Sequence, residues 1–206
     1  MAFSLKALFV FALSAALSAC TGFARPAPTG STVKIVLEGG HGSGVHIGDR
    51  FVITAAHVVG SADSVEIKAD DGSTQRAAVL WVNKSYDIAL LRYAKPANMA
   101  VASLSCREAQ VGERVRALGS PGAIDFISNN GFVSGSARKH GPWASVLVFD
   151  GIVAPGMSGG PVHDATGRVI GITVGLMAVP MGFGASLIPI SYIVPSSAVC
   201  MLMARV

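Results

Sequence analysis

Short apolar runs recur along the chain from residue 33 onward, and turn-forming residues such as glycine, proline and aspartate separate them. Runs of this length between turn signals are typical of β-strands rather than of helices. The pattern predicts strands over 33–37, 44–47, 50–54, 64–68, 77–82 and 88–93, followed by 114–118, 131–136, 145–149, 161–163, 169–174 and 185–188. Short strands at this spacing indicate an all-β sandwich or barrel.

The two ends of the chain depart from this pattern. Residues 7–17 form an apolar stretch behind Lys6, which is too short to span a bilayer and indicates a signal peptide over 1–19. Residues 20–32 are rich in glycine, proline and serine and predict a flexible tether. A proline at a first helical turn and few breakers after it predict a C-terminal helix over 195–205.

The residues before the tether also predict a membrane anchor. The run Leu17-Ser18-Ala19-Cys20 resembles a bacterial lipobox, in which the signal peptide is cut before the cysteine and the thiol carries a diacylglyceryl group. The residue after the cysteine is Thr21 rather than an aspartate. In Gram-negative lipoproteins this implies sorting to the outer membrane, here on its periplasmic side. The alternative is ordinary secretion with cleavage near Ala24.

Composition narrows the classes of function. The 206 residues are 51% hydrophobic and suit a single two-lobed domain. The net charge of +4 is spread along the chain without a block of like charges, so no nucleic-acid partner is expected. Cys106 and Cys200 could form a disulfide after export, or could be two small buried side chains. Histidines and cysteines lack metal-ligand spacing, so neither a metal nor another cofactor is expected.

Three local runs carry candidate chemistry. They are Ile53-Thr54-Ala55-Ala56-His57-Val58-Val59, Tyr86-Asp87-Ile88-Ala89-Leu90-Leu91 and Pro155-Gly156-Met157-Ser158-Gly159-Gly160-Pro161. A serine hydroxyl is a weak nucleophile that needs a base, and the base needs an acceptor to orient it. Ser158, His57 and Asp87 supply these three groups, while the glycines around Ser158 allow backbone N–H groups to converge on an oxyanion.

These runs, in the order His, Asp, Ser, resemble the motifs of the chymotrypsin-like serine protease family. The similarity is closest to bacterial HtrA/Deg-type protease domains, here without a PDZ module. It implies two packed six-stranded β-barrels in a domain over 33–206, with lobes over 33–107 and 108–190. It also implies an endopeptidase that acts on proteins or peptides through a Ser-His-Asp triad and an acyl-enzyme.

The resemblance implies further site residues. The amides of Gly156 and Ser158 are the expected oxyanion donors. The expected specificity pocket includes Ile152, Thr173, Gly175 and Ser186. Ile152 replaces the acid that trypsin carries near the pocket base, so small or medium apolar residues are expected before the scissile bond. A glutamyl preference would need a basic group such as His163 to point into the pocket.

Position 157 departs from the digestive members of the family. They carry an aspartate there, which pairs with a newly formed N-terminal amine and shapes the oxyanion loop. Met157 cannot form this ion pair, so activation by insertion of the N-terminus is not expected. The loop could then rest in an inactive arrangement until a substrate or partner orders it.

Two rival hypotheses remain. Gly156-Met157-Ser158-Gly159-Gly160 also fits the nucleophile elbow of α/β-hydrolases, but Pro161 and Gly167 interrupt the helix that this fold requires after the serine. A protease fold that binds or supports other molecules without turnover is the second rival.

Overall fold

The computed structural model describes residues 29–95, 98–182 and 184–204. A 3₁₀ helix over Thr29–Ser31 precedes the strands. The remaining elements, in chain order, are β1 (Thr32–Leu37), β2 (Gly40–Gly48), β3 (Phe51–Ala55), α1 (Ala56–Val59), β4 (Ser64–Lys68), β5 (Thr74–Asn83), β6 (Ile88–Tyr93), β7 (Arg114–Gly119), β8 (Ile127–His140), β9 (Trp143–Phe149), β10 (Pro161–Asp164), β11 (Val169–Met181), β12 (Gly184–Pro195) and α2 (Ser196–Met203).

The strands form two closed antiparallel barrels. The first has the order β1-β2-β3-β6-β5-β4, and the second has the order β10-β11-β12-β9-β8-β7. Closure leaves neither sheet with a free edge, which removes the unpaired backbone groups that an open sheet exposes. The predicted all-β fold of two six-stranded barrels with a short C-terminal helix is confirmed.

Strands β3 and β6 are apolar on both faces because each face packs against a different core. Val52 and Leu91 point into the first barrel, whereas Ile53 and Leu90 belong to a second apolar cluster. That cluster also contains Val194 of the second barrel, so it fills the space between the barrels. A near-continuous apolar run is what burial on both faces requires.

The C-terminal helix covers one side of this inter-barrel core. Val199 of α2 is fully buried there, and Cys200 forms a disulfide with Cys106, in the segment between the barrels. The two Cα atoms are 5.8 Å apart, across a sequence separation of 94 residues. The pairing that the sequence left open is therefore present in the structure.

Several elements extend beyond their predicted bounds. The structure packs Ser31 and Thr32, which the sequence placed in the tether, against the first barrel with at most 1% exposure. Strand β8 is fourteen residues long, and β11 and β12 continue into an exposed hairpin around Gly182. Their register shifts at several points, and such irregularities depend on pairing between distant residues rather than on local pattern.

The predicted signal peptide over 1–19, the predicted lipidation site Cys20 and most of the predicted tether lie outside the described residues. Within the described ranges, no helix is long and apolar enough to cross a membrane.

His163 in β10 is a buried group that titrates. Its side chain is 1% exposed, and neither ring nitrogen has a hydrogen-bond partner in the described part of the chain. Burial lowers the pKa of His163 to about 4, and the positive charge of Arg116 acts in the same direction. The imidazole is therefore neutral in the folded protein at pH values where the unfolded chain already binds a proton.

Acidification should consequently destabilise the fold through His163. The contribution of the neutral His163 imidazole to stability is complete above the unfolded pKa of about 6.5. This contribution is lost as the pH falls toward about 4. Between about pH 7.5 and about pH 5, we expect the free energy of unfolding in urea to fall by about 2 kcal/mol. His163→Leu should flatten this slope, whereas replacement of the exposed His140 by Asn should retain it. An unchanged slope in His163→Leu would contradict the assignment.

Candidate active site

The pairing of β3 with β6 brings His57 and Asp87 together. Ala55 at the end of β3 lies opposite Ile88 at the start of β6, so the residues just beyond them meet at one end of the barrel. The first two amides of α1 both bond to Asp87: the Ala56 N–H donates to the Asp87 carbonyl at 3.0 Å, and the His57 N–H donates to Oδ1 at 2.8 Å. Asp87 thus satisfies N–H groups that a helix start leaves unpaired.

The imidazole of His57 is held by the same carboxylate. Nδ1 lies 2.7 Å from Asp87 Oδ2. Because an ionised carboxylate only accepts hydrogen bonds, Nδ1 carries the proton and Nε2 is left as an acceptor. Trp143 Nε1 donates to the same Oδ2 at 3.1 Å. Asp87 is only 8% exposed, and these donors offset the loss of water around its charge.

Ser158 lies across the barrel boundary in the turn before β10. Its carbonyl accepts a hydrogen bond of 2.7 Å from the amide of Ser43 on β2. The next residue, Gly159, has φ of +87°, and a Cβ there would lie 2.1 Å from the Ser43 carbonyl oxygen. Only glycine permits this approach, so the turn can seat Ser158 against the first barrel.

Ser158 and His57 line one open cavity, together with Gly156, Pro155 and His41. Both hydrogen bonds of His57 in the described part of the chain go to Asp87. Within the described residues, the Ser158 hydroxyl makes no hydrogen bond to His57, although both residues line this cavity.

The loop before Ser158 is held by a serine that sequence reasoning missed. The Ser43 hydroxyl donates to the Gly156 carbonyl at 2.7 Å and accepts a hydrogen bond of 2.9 Å from the Ser120 amide. His41 Nε2 lies 2.9 Å from the Ser120 carbonyl oxygen, and its ring leaves no room for a side chain at Gly156, whose φ is +100°. The only sequence signal was the placement of Ser43 between two glycines.

Met157 takes no part in these polar contacts. Its side chain is 1% exposed and packs in the core of the second barrel with Val153 and Val162. An aspartate at this position would place a charge among apolar groups unless it gained a partner. The structure therefore holds the loop by hydrogen bonds from the first barrel.

The segment that carries Ser120 is itself tied to the first barrel. Asp125 accepts hydrogen bonds from Lys34 at 2.7 Å and from Lys68 at 3.0 Å. Hydrogen bonds from Lys34 and then Lys68 lower the pKa of the Asp125 carboxyl below its ordinary value. The carboxylate thus stays ionised at neutral pH and keeps both lysines.

The expected pocket residues have different environments. Thr173 is fully buried, and its carbonyl accepts the Gly159 amide at 2.7 Å, so it lies directly behind the serine turn. Gly175 faces the Trp143 ring, which would lie 2.7 Å from a Cβ at that position. Ile152 is 58% exposed at the loop surface. The structure thus brings Thr173 close to Ser158 and leaves Ile152 facing solvent.

Ser186 does not join these residues. It is exposed in the β11–β12 hairpin opposite Val179, whereas Ser191 lies further along β12, opposite Leu176. Ser191 is fully buried, and its hydroxyl donates to the Gly151 carbonyl at 2.9 Å. The length of the hairpin moves Ser186 away from the site, and Ser191 is the serine of β12 that contacts the loop before Ser158.

His163 also lies away from this region, buried in β10 opposite Arg116. Among residues 29–95, 98–182 and 184–204, no three side chains of histidine, cysteine, aspartate or glutamate form a group that could hold a metal ion.

Comparison with known proteins places this geometry in a family. Residues 42–172 match the model of the trypsin-like peptidase domain. The chain belongs to this family. Among curated relatives of this trypsin-like peptidase domain, a "Probable periplasmic serine endoprotease DegP-like" from Brucella suis biovar 1 (strain 1330) is 32% identical over 161 residues, which cover 76% of this chain and 31% of the relative. A protein of the same name from Ectopseudomonas mendocina (strain ymp) is 34% identical over 146 residues, or 69% of this chain and 31% of the relative.

Solved structures share the fold of the trypsin-like peptidase domain. The HtrA-type protease AlgW with a tripeptide gives a TM-score of 0.75 at 21% identity and covers 86% of this chain and 60% of that one. The Rv3671c protease in an inactive form gives a TM-score of 0.71 at 24% identity, covering 86% and 89%. The resemblance to HtrA/Deg-type protease domains is confirmed. The chain spans about a third of the length of the curated relatives that it matches.

The role of Ser43 can be tested by removal of its hydroxyl. Ser43→Ala leaves the Gly156 carbonyl and the Ser120 amide without their shared partner. We expect the rate at which a fluorophosphonate modifies Ser158 to fall about 10-fold or more, because the loop that is expected to supply the oxyanion donors would lose the hydroxyl that holds it. Ser196→Ala is the matched control, since Ser196 is also fully buried but its hydroxyl has no hydrogen-bond partner in the described structure. Equal rates for Ser43→Ala and the wild type would contradict this role.

Proposed function

We propose that this chain is a serine endopeptidase in which Ser158 is the nucleophile, His57 the general base and Asp87 the orienting carboxylate. The observation that supports this most directly is the 2.7 Å contact between His57 Nδ1 and Asp87 Oδ2, in a cavity that Ser158 also lines. The names of the DegP-like relatives agree with it.

The proposed reaction proceeds through an acyl-enzyme. Ser158 Oγ attacks the carbonyl carbon of the peptide while His57 Nε2 takes the hydroxyl proton. The C–N bond then breaks, and the protonated imidazole gives its proton to the departing amine. Water attacks the resulting ester by the same route, with His57 again accepting and returning a proton. Asp87 stays ionised and stabilises the imidazolium at each stage.

The amides of Gly156 and Ser158 are the proposed oxyanion donors. Neighbouring amides are already occupied: the Met157 N–H bonds to the Ala154 carbonyl, and the Gly159 N–H bonds to the Thr173 carbonyl. In the described part of the chain, the Gly156 and Ser158 amides make no such bonds and remain available to an oxyanion. Each such donor typically contributes about 3–4 kcal/mol to the lowering of the barrier.

We propose that this site prefers small or medium apolar side chains before the scissile bond. Thr173 and Gly175 lie on β11, beside the turn that carries Ser158. By resemblance, Ile152 occupies the position where trypsin carries the acidic residue of its specificity pocket. None of these three residues is a carboxylate that could bind lysine or arginine.

The proposed location is the cell envelope. The Cys106–Cys200 disulfide fits an oxidising compartment, and the curated relatives carry the word periplasmic in their names. We further propose a signal peptide over 1–19 and lipidation of Cys20, with the domain facing the periplasm from the outer membrane.

A fluorophosphonate probe tests the nucleophile. The probe bonds to Ser158 Oγ as fluoride leaves, so we expect labelling of the folded wild type and none of Ser158→Ala or His57→Ala. Ser196→Ala should label normally. Failure of the folded wild type to label would favour the rival hypothesis, a protease fold that binds without turnover.

The anchor is tested by the mass of the mature N-terminus. When the full chain is expressed in a Gram-negative host, we expect a peptide that begins at Cys20 and carries diacylglyceryl and acyl groups, and Cys20→Ala should release the protein from the membrane fraction. An unmodified N-terminus beyond Cys20 would refute lipidation.

A further inference from the structure

Within the described residues, three hydrogen bonds reach the Asp87 carboxylate, and His57 supplies two of them. Its amide bonds to Oδ1, and its Nδ1 bonds to Oδ2. In the described part of the chain, the third donor is Trp143 Nε1, at 3.1 Å from Oδ2. Trp143 is therefore the donor that fixes the carboxylate independently of the histidine that the carboxylate must orient.

Trp143 reaches Asp87 from the other barrel. It is the first residue of β9, and the amide of the next residue, Ala144, donates to the Ser85 carbonyl at 2.7 Å. The start of β9 thus holds the Asp87 turn by two hydrogen bonds, one from the backbone and one from the indole.

The orientation of the indole is fixed by its neighbours. The ring lies over Gly175, where a Cβ would approach it to 2.7 Å, and the Tyr192 ring packs 5.3 Å away on β12. His140 stacks on Tyr192 at 4.6 Å. Contacts of this kind restrict the indole, so its N–H is preorganised toward Oδ2.

Packing alone does not explain this contact. The chain has two tryptophans, and the indole N–H of the other, Trp81, is buried without a hydrogen-bond partner in the described structure. The fully buried hydroxyl of Thr173 likewise has no partner there. These polar groups have no partner in the described structure, whereas the Trp143 N–H is directed at the oxygen that binds His57 Nδ1.

We propose that Trp143 is a positioning residue of the reaction: its indole N–H holds the Asp87 carboxylate in the orientation that places the His57 imidazole. This inference rests on the proposed function. A hydrogen bond to a charged acceptor is stronger than one between neutral groups, so its loss should weaken the hold on the Asp87 carboxylate.

The kinetic test compares two tryptophan variants. Trp143→Phe keeps an aromatic ring but removes the donor, and Trp81→Phe removes an indole N–H that bonds nothing. We expect the maximal rate of fluorophosphonate labelling to fall about 10-fold or more in Trp143→Phe, with half-saturating probe concentration changed by less than about twofold. Trp81→Phe should label within about twofold of the wild-type rate. Wild-type labelling by Trp143→Phe would overturn the proposal.

A spectroscopic test does not depend on activity. The two indole N–H signals in ¹⁵N NMR spectra are assigned by the variant in which each disappears. Asp87→Asn replaces the charged acceptor by a weaker one, so the Trp143 signal should move upfield while the Trp81 signal stays in place. An unmoved Trp143 signal would overturn the proposal, even if Trp143→Phe failed to fold. Absence of labelling in the wild type would instead refute the proposed function, and the indole signal would then decide separately whether Trp143 binds Asp87.

Discussion

Burial of the Asp87 carboxylate is the constraint on which the rest of the site depends. A charge with 8% exposure is costly unless donors surround it, and these donors come from both barrels. The first barrel in turn holds a residue of the second, since the amide of Ser43 donates a hydrogen bond to the Ser158 carbonyl. Neither barrel therefore assembles the candidate site alone, and the apolar cluster between the barrels supports the geometry of this site as well as the stability of the fold.

The same docking explains how the loop before Ser158 is held without an aspartate at position 157. The Ser43 hydroxyl bridges Gly156 and Ser120, while Asp125 ties the Ser120 segment to Lys34 and Lys68. All of these contacts join the second barrel to the first. The position of this loop is thus coupled to the packing of the barrels, and Met157 serves as a core residue.

Local pattern was sufficient for the fold class and for the choice of His57 and Asp87 as a candidate pair. These features depend on short apolar runs, on turn residues and on three motifs whose chemistry requires particular residue types. Ser43 and Trp143 were missed because their roles arise from contacts across the barrels, with partners far away in sequence. Ser186 was misplaced relative to the pocket because the irregular register and length of the β11–β12 hairpin cannot be read from alternation. The pocket residues were carried over by resemblance outside the three motifs, and Ser186 is the one that the structure leaves far from the others.

The disulfide has a topological consequence for a domain of this family. Cys106 and Cys200 close a covalent ring that contains every strand of the second barrel. The hairpin between β11 and β12 is one part of this ring that exposes apolar residues, such as Met181 and Leu187. If a protease, including a second copy of this chain, cut the hairpin there, β12 and α2 would stay tethered to the rest of the molecule. A nick would then change the connectivity of the ring without releasing a fragment, and β12 could remain paired between β9 and β11.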